Sequence, residues 1–256
     1  MSPRNTPSYF ILGATGGIGT ALCQKLKQQG ARLFLVSQNQ EKLKAFAEEL
    51  DSPFASLDAR SIEEVQSAFQ QATETIGPLN GVVNLVGSLM LKPAHLTTEE
   101  DWNDTIALNL TSAFATVRAA AKAMKDHPAG LSVVLMSTAA SRIGIANHEA
   151  IAAAKAGVIG LAQSAAATYA GKGMRVNVVA PGLIRTPLTE RIWKNEGAAQ
   201  ASLALHALDR LGEPDDVAEM IGWLLDPQHD WITGQVFGID GGLATLKPNR
   251  KTTAKS

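Results

Sequence analysis

The stretch whose chemistry is most legible lies near the start of the chain. Tyr9-Phe-Ile-Leu runs into Gly13-Ala-Thr-Gly16-Gly17-Ile-Gly19, an apolar strand pattern that gives way to glycines and then to a helical pattern. Glycines let a backbone turn sharply and approach an anion with no Cβ in the way. The helix after them presents free N–H groups and the positive end of its dipole. That combination suits the diphosphate of a dinucleotide. The same glycines would also serve a tight strand-to-helix turn that holds no ligand.

A turn of this kind needs a sheet to carry it, and the rest of the chain supplies one. Short apolar runs rich in β-branched residues predict strands at Tyr9 to Leu12, Arg32 to Val36, Phe54 to Leu57, Gly81 to Val86, Leu131 to Met136, Arg175 to Val179 and Gln235 to Ile239. Between them helical periodicity predicts helices at Ile18 to Gln29, Gln40 to Leu50, Ile62 to Thr75, Thr98 to Lys125, Glu149 to Ala170 and Pro214 to Leu225, with Ser61 as an N-cap. Strands alternating with helices imply a doubly wound, Rossmann-type parallel sheet of about seven strands with helices on both faces. No composition shift divides the chain, so one domain is expected over residues 9–243. Residues 1–8 are expected to be a flexible tail and residues 244–256 a disordered basic one, with Lys247, Arg250, Lys251 and Lys255. The least regular stretch, Pro181 to Ala201, comes after a strand's carboxyl end and is a candidate lid.

Composition narrows the function classes. A chain of 256 residues with net charge -1 and interspersed signs carries no field that favours nucleic acid or an anionic membrane. Its one cysteine, Cys23, allows no intramolecular disulfide, and a cytoplasmic location is expected. No run is expected to reach the ~18 apolar residues of a membrane helix. No metal is called for, and the expected partner is a small-molecule substrate.

The glycine spacing Gly13, Gly17, Gly19 resembles the T-G-x-x-x-G-x-G turn of the short-chain dehydrogenase/reductase family, with Leu12 where the family usually has Thr. The resemblance continues in order to Leu243, and is to members of the 3-oxoacyl-thioester reductase kind. It implies that Gly13, Thr15, Gly17, Ile18 and Gly19 hold the coenzyme diphosphate. Asp58 would accept a hydrogen bond from the adenine amino group, and Asn84 and Gly87 would line the coenzyme. Pro181, Gly182 and Thr186 would hold the nicotinamide carboxamide. At the end of the second strand a carboxylate would select NAD(H) and a basic group NADP(H). This chain has Ser37, Gln38 and Asn39 there. Absence of the acid points to NADP(H) over NAD(H), with Ser37 and Gln38 as neutral donors to a phosphate, unless these residues merely turn the chain.

The resemblance also implies a catalytic set of Asn109, Thr138 and Lys155, with Lys155 binding the nicotinamide ribose. The family's Tyr, four residues before the Lys and therefore on the same helix face, is replaced by Ile151, which can neither donate nor accept a proton. Tyr9 and Tyr169 are the only tyrosines, and neither is expected at the site. His148, seven residues before Lys155 and ~20° off its face on an ideal helix, is a candidate substitute donor, or an exposed residue at the helix start. Two functions are implied. One is an NAD(P)(H)-dependent oxidoreductase acting on a carbonyl or alcohol with an atypical proton donor. The other is a catalytically silent dinucleotide-binding protein, a redox sensor or partner subunit. The apolar helix beginning at Glu149 suggests a homo-oligomer, a dimer or a tetramer.

Overall fold

A computed structural model describes residues 6–124 and 130–247. Seven parallel strands form one sheet: β1 (Ser8–Leu12), β2 (Arg32–Ser37), β3 (Phe54–Ser56), β4 (Gly81–Asn84), β5 (Leu131–Met136), β6 (Met174–Pro181) and β7 (Val236–Ile239), in spatial order 3-2-1-4-5-6-7. From β1 the chain winds outward to β3, then crosses back and winds the other way from β4. The point of reversal lies between β1 and β4, whose carboxyl ends pair Leu12 with Asn84. Open α/β sheets bind their ligands at such a point.

The central strands are apolar on both sides because both faces are covered. Phe10, Phe34, Val82, Val133 and Val176 point to α3 (Ile62–Ile76), α5 (Ser112–Ala123) and α6 (Glu149–Tyr169). Their neighbours Ile11, Leu33, Val83, Val134 and Val179 point to α1 (Gly17–Gln28), α2 (Gln40–Glu49) and α9 (Pro214–Leu225). One residue of shift along a strand exchanges the two cores, so the register is strongly specified. Ser61 caps α3, its hydroxyl accepting from the Glu64 amide at 3.2 Å.

Several boundaries differ from expectation. β1 starts at Ser8, buried and bonded to Asn80, so that residue belongs to the sheet rather than to a tail. The expected helix from Thr98 is α4 (Glu99–Ile106) joined to α5 by a π turn at Ala107–Thr111. The sequence there is helical in period and gives no sign of the wider turn; its expected end at Lys125 lies outside the described residues. The irregular segment after β6 contains α7 (Glu190–Trp193) and α8 (Glu196–Leu205), the latter capped by Asn195. Of the expected basic tail, residues 244–246 turn back on the sheet through Ala244 N–H to Asp240 and Leu246 N–H to Gly242. Residues 248–256 lie outside the described residues. By length and composition Glu149–Lys172 could cross a membrane, contrary to expectation. One side of it is buried in the protein, with Ala154, Ala162, Ala165 and Ala166 beside the buried Lys155.

Candidate coenzyme and active site

The carboxyl edge of the sheet opens into two cavities, of about 310 and 470 Å³, whose walls share Ile18, Val86, Gly87, Thr186 and Leu188. They form one groove. At its first end the glycine turn leaves β1 with Gly13 at φ 92°, and the Gly13 and Ala14 amides both donate to the Val36 carbonyl of β2. Gly16 stands at the N-cap of α1 and offers no side chain, so the helix's first amides are left to a ligand. A Cβ at Gly19 would run into the Gly13 carbonyl, and one at Gly17 would lie 2.8 Å from Thr186. Close backbone approach is built in here, as a diphosphate requires, so the residues present fit a dinucleotide.

Further along this end, Thr15 and Ser37 join hydroxyls at 2.6 Å. Lys42, from the first turn of α2, donates to the Thr15 carbonyl at 2.8 Å. The sequence does not signal Lys42, because the strand end itself carries no basic group and this one returns from the next helix. Gln38 lies in the wall, and its carbonyl accepts from the Ser56 hydroxyl. Asp58 is in the wall too, but Arg60 clasps both its oxygens at 2.7 to 3.0 Å and holds the carboxyl below its usual range. Asn84 does not line the groove: its amide is buried against Ser112 and Thr116 and its oxygen accepts from the Val86 amide, so it fixes the strand end from beneath.

The second end gathers the expected chemistry. Lys155 of α6 is buried, and its Nζ donates to the Met136 carbonyl at 3.1 Å. Burial lowers its titration to about 8. Asn109 sits in the π turn, its amide donating to the Thr105 carbonyl and to the Ser88 hydroxyl, its oxygen accepting from the Ser88 amide. Such turns frequently mark functional sites. A Cβ on Gly87 would lie 2.8 Å from Asn109 Oδ1 and 3.1 Å from Lys155 Nζ, so only glycine lets these two side chains converge.

Two neighbouring hydroxyls end β5. Ser137 is tied to the Lys155 carbonyl at 2.9 Å, whereas Thr138 keeps weaker bonds, to the Pro181 carbonyl at 3.5 Å and from the Ala140 amide at 3.3 Å. Thr138 is therefore the freer of the two. Ile151 lies one helical turn before Lys155 on the same wall, almost fully buried. His148, at the N-cap of α6, also lines the cavity, and its Nδ1 lies 2.8 Å from the Ala146 carbonyl. A carbonyl can only accept, so Nδ1 carries a proton and the neutral ring presents a lone pair at Nε2.

Pro181, Gly182, Thr186, Leu188 and Ile192 close the groove from β6 and the lid segment, joined by Leu205 of α8. This segment is braced internally by Trp193, whose indole donates to the Thr186 carbonyl, and tied to the loop after β4 by Arg191, which donates to the Leu89 carbonyl. Tyr9 is buried under the sheet, its phenol raised to about 12, chiefly by that burial, and lines neither cavity; nor does Tyr169.

Comparison with known proteins matches this architecture. A family model described as enoyl-(acyl carrier protein) reductase covers residues 13–244. A 3-oxoacyl-(acyl-carrier-protein) reductase of Mus musculus is 35% identical over 239 residues, covering 91% of this chain and 96% of the relative. The corresponding FabG reductase of Thermotoga maritima is 32% identical over 240 residues, with coverage of 91% and 96%. Among solved structures, an actinorhodin polyketide ketoreductase variant with NADPH superposes with a TM-score of 0.88 at 25% identity, covering 96% of this chain and 100% of that one. With its family-wide glycine turn, seven-stranded sheet and groove, the chain belongs to the short-chain dehydrogenase/reductase family of oxidoreductases.

Proposed function

We propose that this protein is an NADP(H)-dependent oxidoreductase that acts on an apolar carbonyl or alcohol and takes its proton from a group other than tyrosine. The observation that carries the reading is the single groove running from the glycine turn to Lys155 and Thr138, with Asn109 buried behind Gly87 of its wall. The amides of Gly17, Ile18 and Gly19 hold the diphosphate, and Lys42 with Ser37 meets the adenosine 2′ position. When bound, the nicotinamide supplies hydride to a carbonyl carbon. Lys155 donates to the ribose and places positive charge beside the site, and Thr138 donates to the carbonyl oxygen. In the reading that places the family's Tyr at position 151, the proton comes from His148 or from a water held by Thr138 and Lys155. Because Nδ1 of His148 is committed to Ala146, only the doubly protonated ring has an Nε2 proton to give. The apolar wall of Leu89, Leu91, Ile145, Leu188 and Leu205 favours a substrate with a hydrocarbon body.

A second reading, a silent dinucleotide-binding protein, is favoured by Ile151. A positioned general acid contributes roughly 10²- to 10⁴-fold. Purified wild type, His148→Ala and Ile151→Tyr are to be screened with NADPH and NADH against carbonyls and enones. Turnover by wild type that falls in His148→Ala supports the first reading; turnover that appears only in Ile151→Tyr overturns it in favour of the second. We also infer a cytoplasmic homo-oligomer. Helix α6 leaves Ala153, Ala156, Gly160 and Ala167 exposed, a small-residue face that a second α6 fits. A monomeric sedimentation profile at micromolar concentration contradicts that.

A further inference from the structure

Lys155 holds an unusual position for a lysine, even within a site that binds an anionic coenzyme. It lines a cavity of about 470 Å³ whose wall is mostly apolar. Among the described residues no carboxylate lines that cavity, and Lys155 forms no salt bridge. The one hydrogen bond of Nζ goes to the Met136 carbonyl, an acceptor, which takes an N–H and leaves the lone pair of a neutral amine uncommitted. One turn earlier on the same face Ile151 contributes no hydroxyl to occupy that lone pair.

We propose that, with no coenzyme bound, Lys155 captures an apolar aldehyde in this cavity as a Schiff base. The Nζ lone pair adds to the carbonyl carbon while the carbonyl oxygen gains a proton. The resulting carbinolamine loses water as the C=N bond forms, so amine and aldehyde give imine and water with no change of oxidation state. Thr138 and His148, the hydroxyl and imidazole on the same wall, carry the proton between nitrogen and the departing oxygen. Among the described residues His148 is the cavity's only other titratable wall group. Glu149, beside it, directs its carboxylate to the Ala94 amide.

An amine desolvated in an apolar pocket is an activated nucleophile because more of it is neutral. With Lys155 titrating near 8, its neutral fraction at pH 7 exceeds that of an ordinary lysine by roughly two orders of magnitude. The capture uses neither the glycine turn nor hydride transfer, so its failure would leave the coenzyme reading standing.

Full-length, coenzyme-free protein is to be incubated at pH 7 with octanal and sodium cyanoborohydride, which reduces the imine to a stable secondary amine. Peptide mass spectrometry then locates the C8 adduct. Adduct at Lys155 should form at least tenfold faster than at the exposed lysines Lys44 and Lys194, and should disappear in Lys155→Arg, which keeps the charge but cannot form an imine. Equal labelling across lysines, or none at Lys155, overturns the proposal. Lys155→Met serves as the second control should the arginine variant fail to fold, and retention of the fast adduct in either variant is equally fatal.

Discussion

At the adenosine end of the groove Asp58 is partly exposed and clasped by Arg60, while at the other end Lys155 is buried with a backbone carbonyl as its partner. In the proposed function the two ends have different tasks. Asp58 keeps its charge through a short-range pair that water screens, and such a pair contributes little to stability. Lys155 keeps an ammonium where burial disfavours it, a cost the fold carries so that a charge and a reactive nitrogen stand in a dry site. In that reading recognition rests on backbone amides and wet polar groups, and chemistry on one desolvated cation.

The sharpest test of this contrast is Lys155→Met. If Lys155 serves the reaction at the expense of the fold, coenzyme-dependent turnover falls by about 10²-fold or more, while the coenzyme-free protein gains about 1 to 3 kcal/mol at pH 7. Lys155 titrates near 8 in the folded chain and at an ordinary 10.5 when unfolded. Below pH 8 both states are protonated and the full cost is present. Between 8 and 10.5 the unfolded chain binds more protons, so wild-type stability rises with pH and the variant's advantage shrinks. Denaturant titrations at pH 7 and 10 check both signs; a variant less stable than wild type at pH 7 breaks the comparison.

A smaller effect is expected at Lys42, whose ammonium stands beside Thr15 and Ser37. Lys42→Glu reverses the charge beside Thr15 and, if Lys42 meets the adenosine 2′ position as proposed, should move the ratio of NADPH to NADH affinity by about tenfold or more toward NADH, about 1.4 kcal/mol. An unchanged ratio by calorimetry removes Lys42 from recognition. The smallest effect belongs to Asp58→Asn. With Arg60 already neutralising that carboxylate, coenzyme affinity should change by less than about fivefold, within the 0 to 1 kcal/mol of an exposed pair. A larger loss means that Asp58 acts on the coenzyme directly.

Much of the fold could be read in the sequence because apolar period and burial agree: β5 and α9 fall where the pattern puts them. The π turn could not, since Ala107–Thr111 holds no glycine or proline to mark a change in the helix. At the site, Gly13, Gly17, Gly19, Thr138, Asn109 and Lys155 were legible from spacing and resemblance, and all but Asn109, which is buried behind Gly87, line one groove. Lys42 was not, because its reach depends on where α2 starts relative to β1. Asn84 was legible as a residue that matters, yet its side-chain direction depends on Ser112 and Thr116, which lie 28 and 32 residues away.

The π turn carries a consequence for how this chain can vary in length. Each residue of a helix advances about 100°, so removing one residue from Ala107–Thr111 would restore a regular helix while rotating α4 by that angle relative to α5. Asn109 could then no longer face Ser88 while its backbone stayed seated on α5. Substitutions here are a matter of fit at one position, but a single-codon deletion would be a matter of phase along the whole of α4 relative to α5.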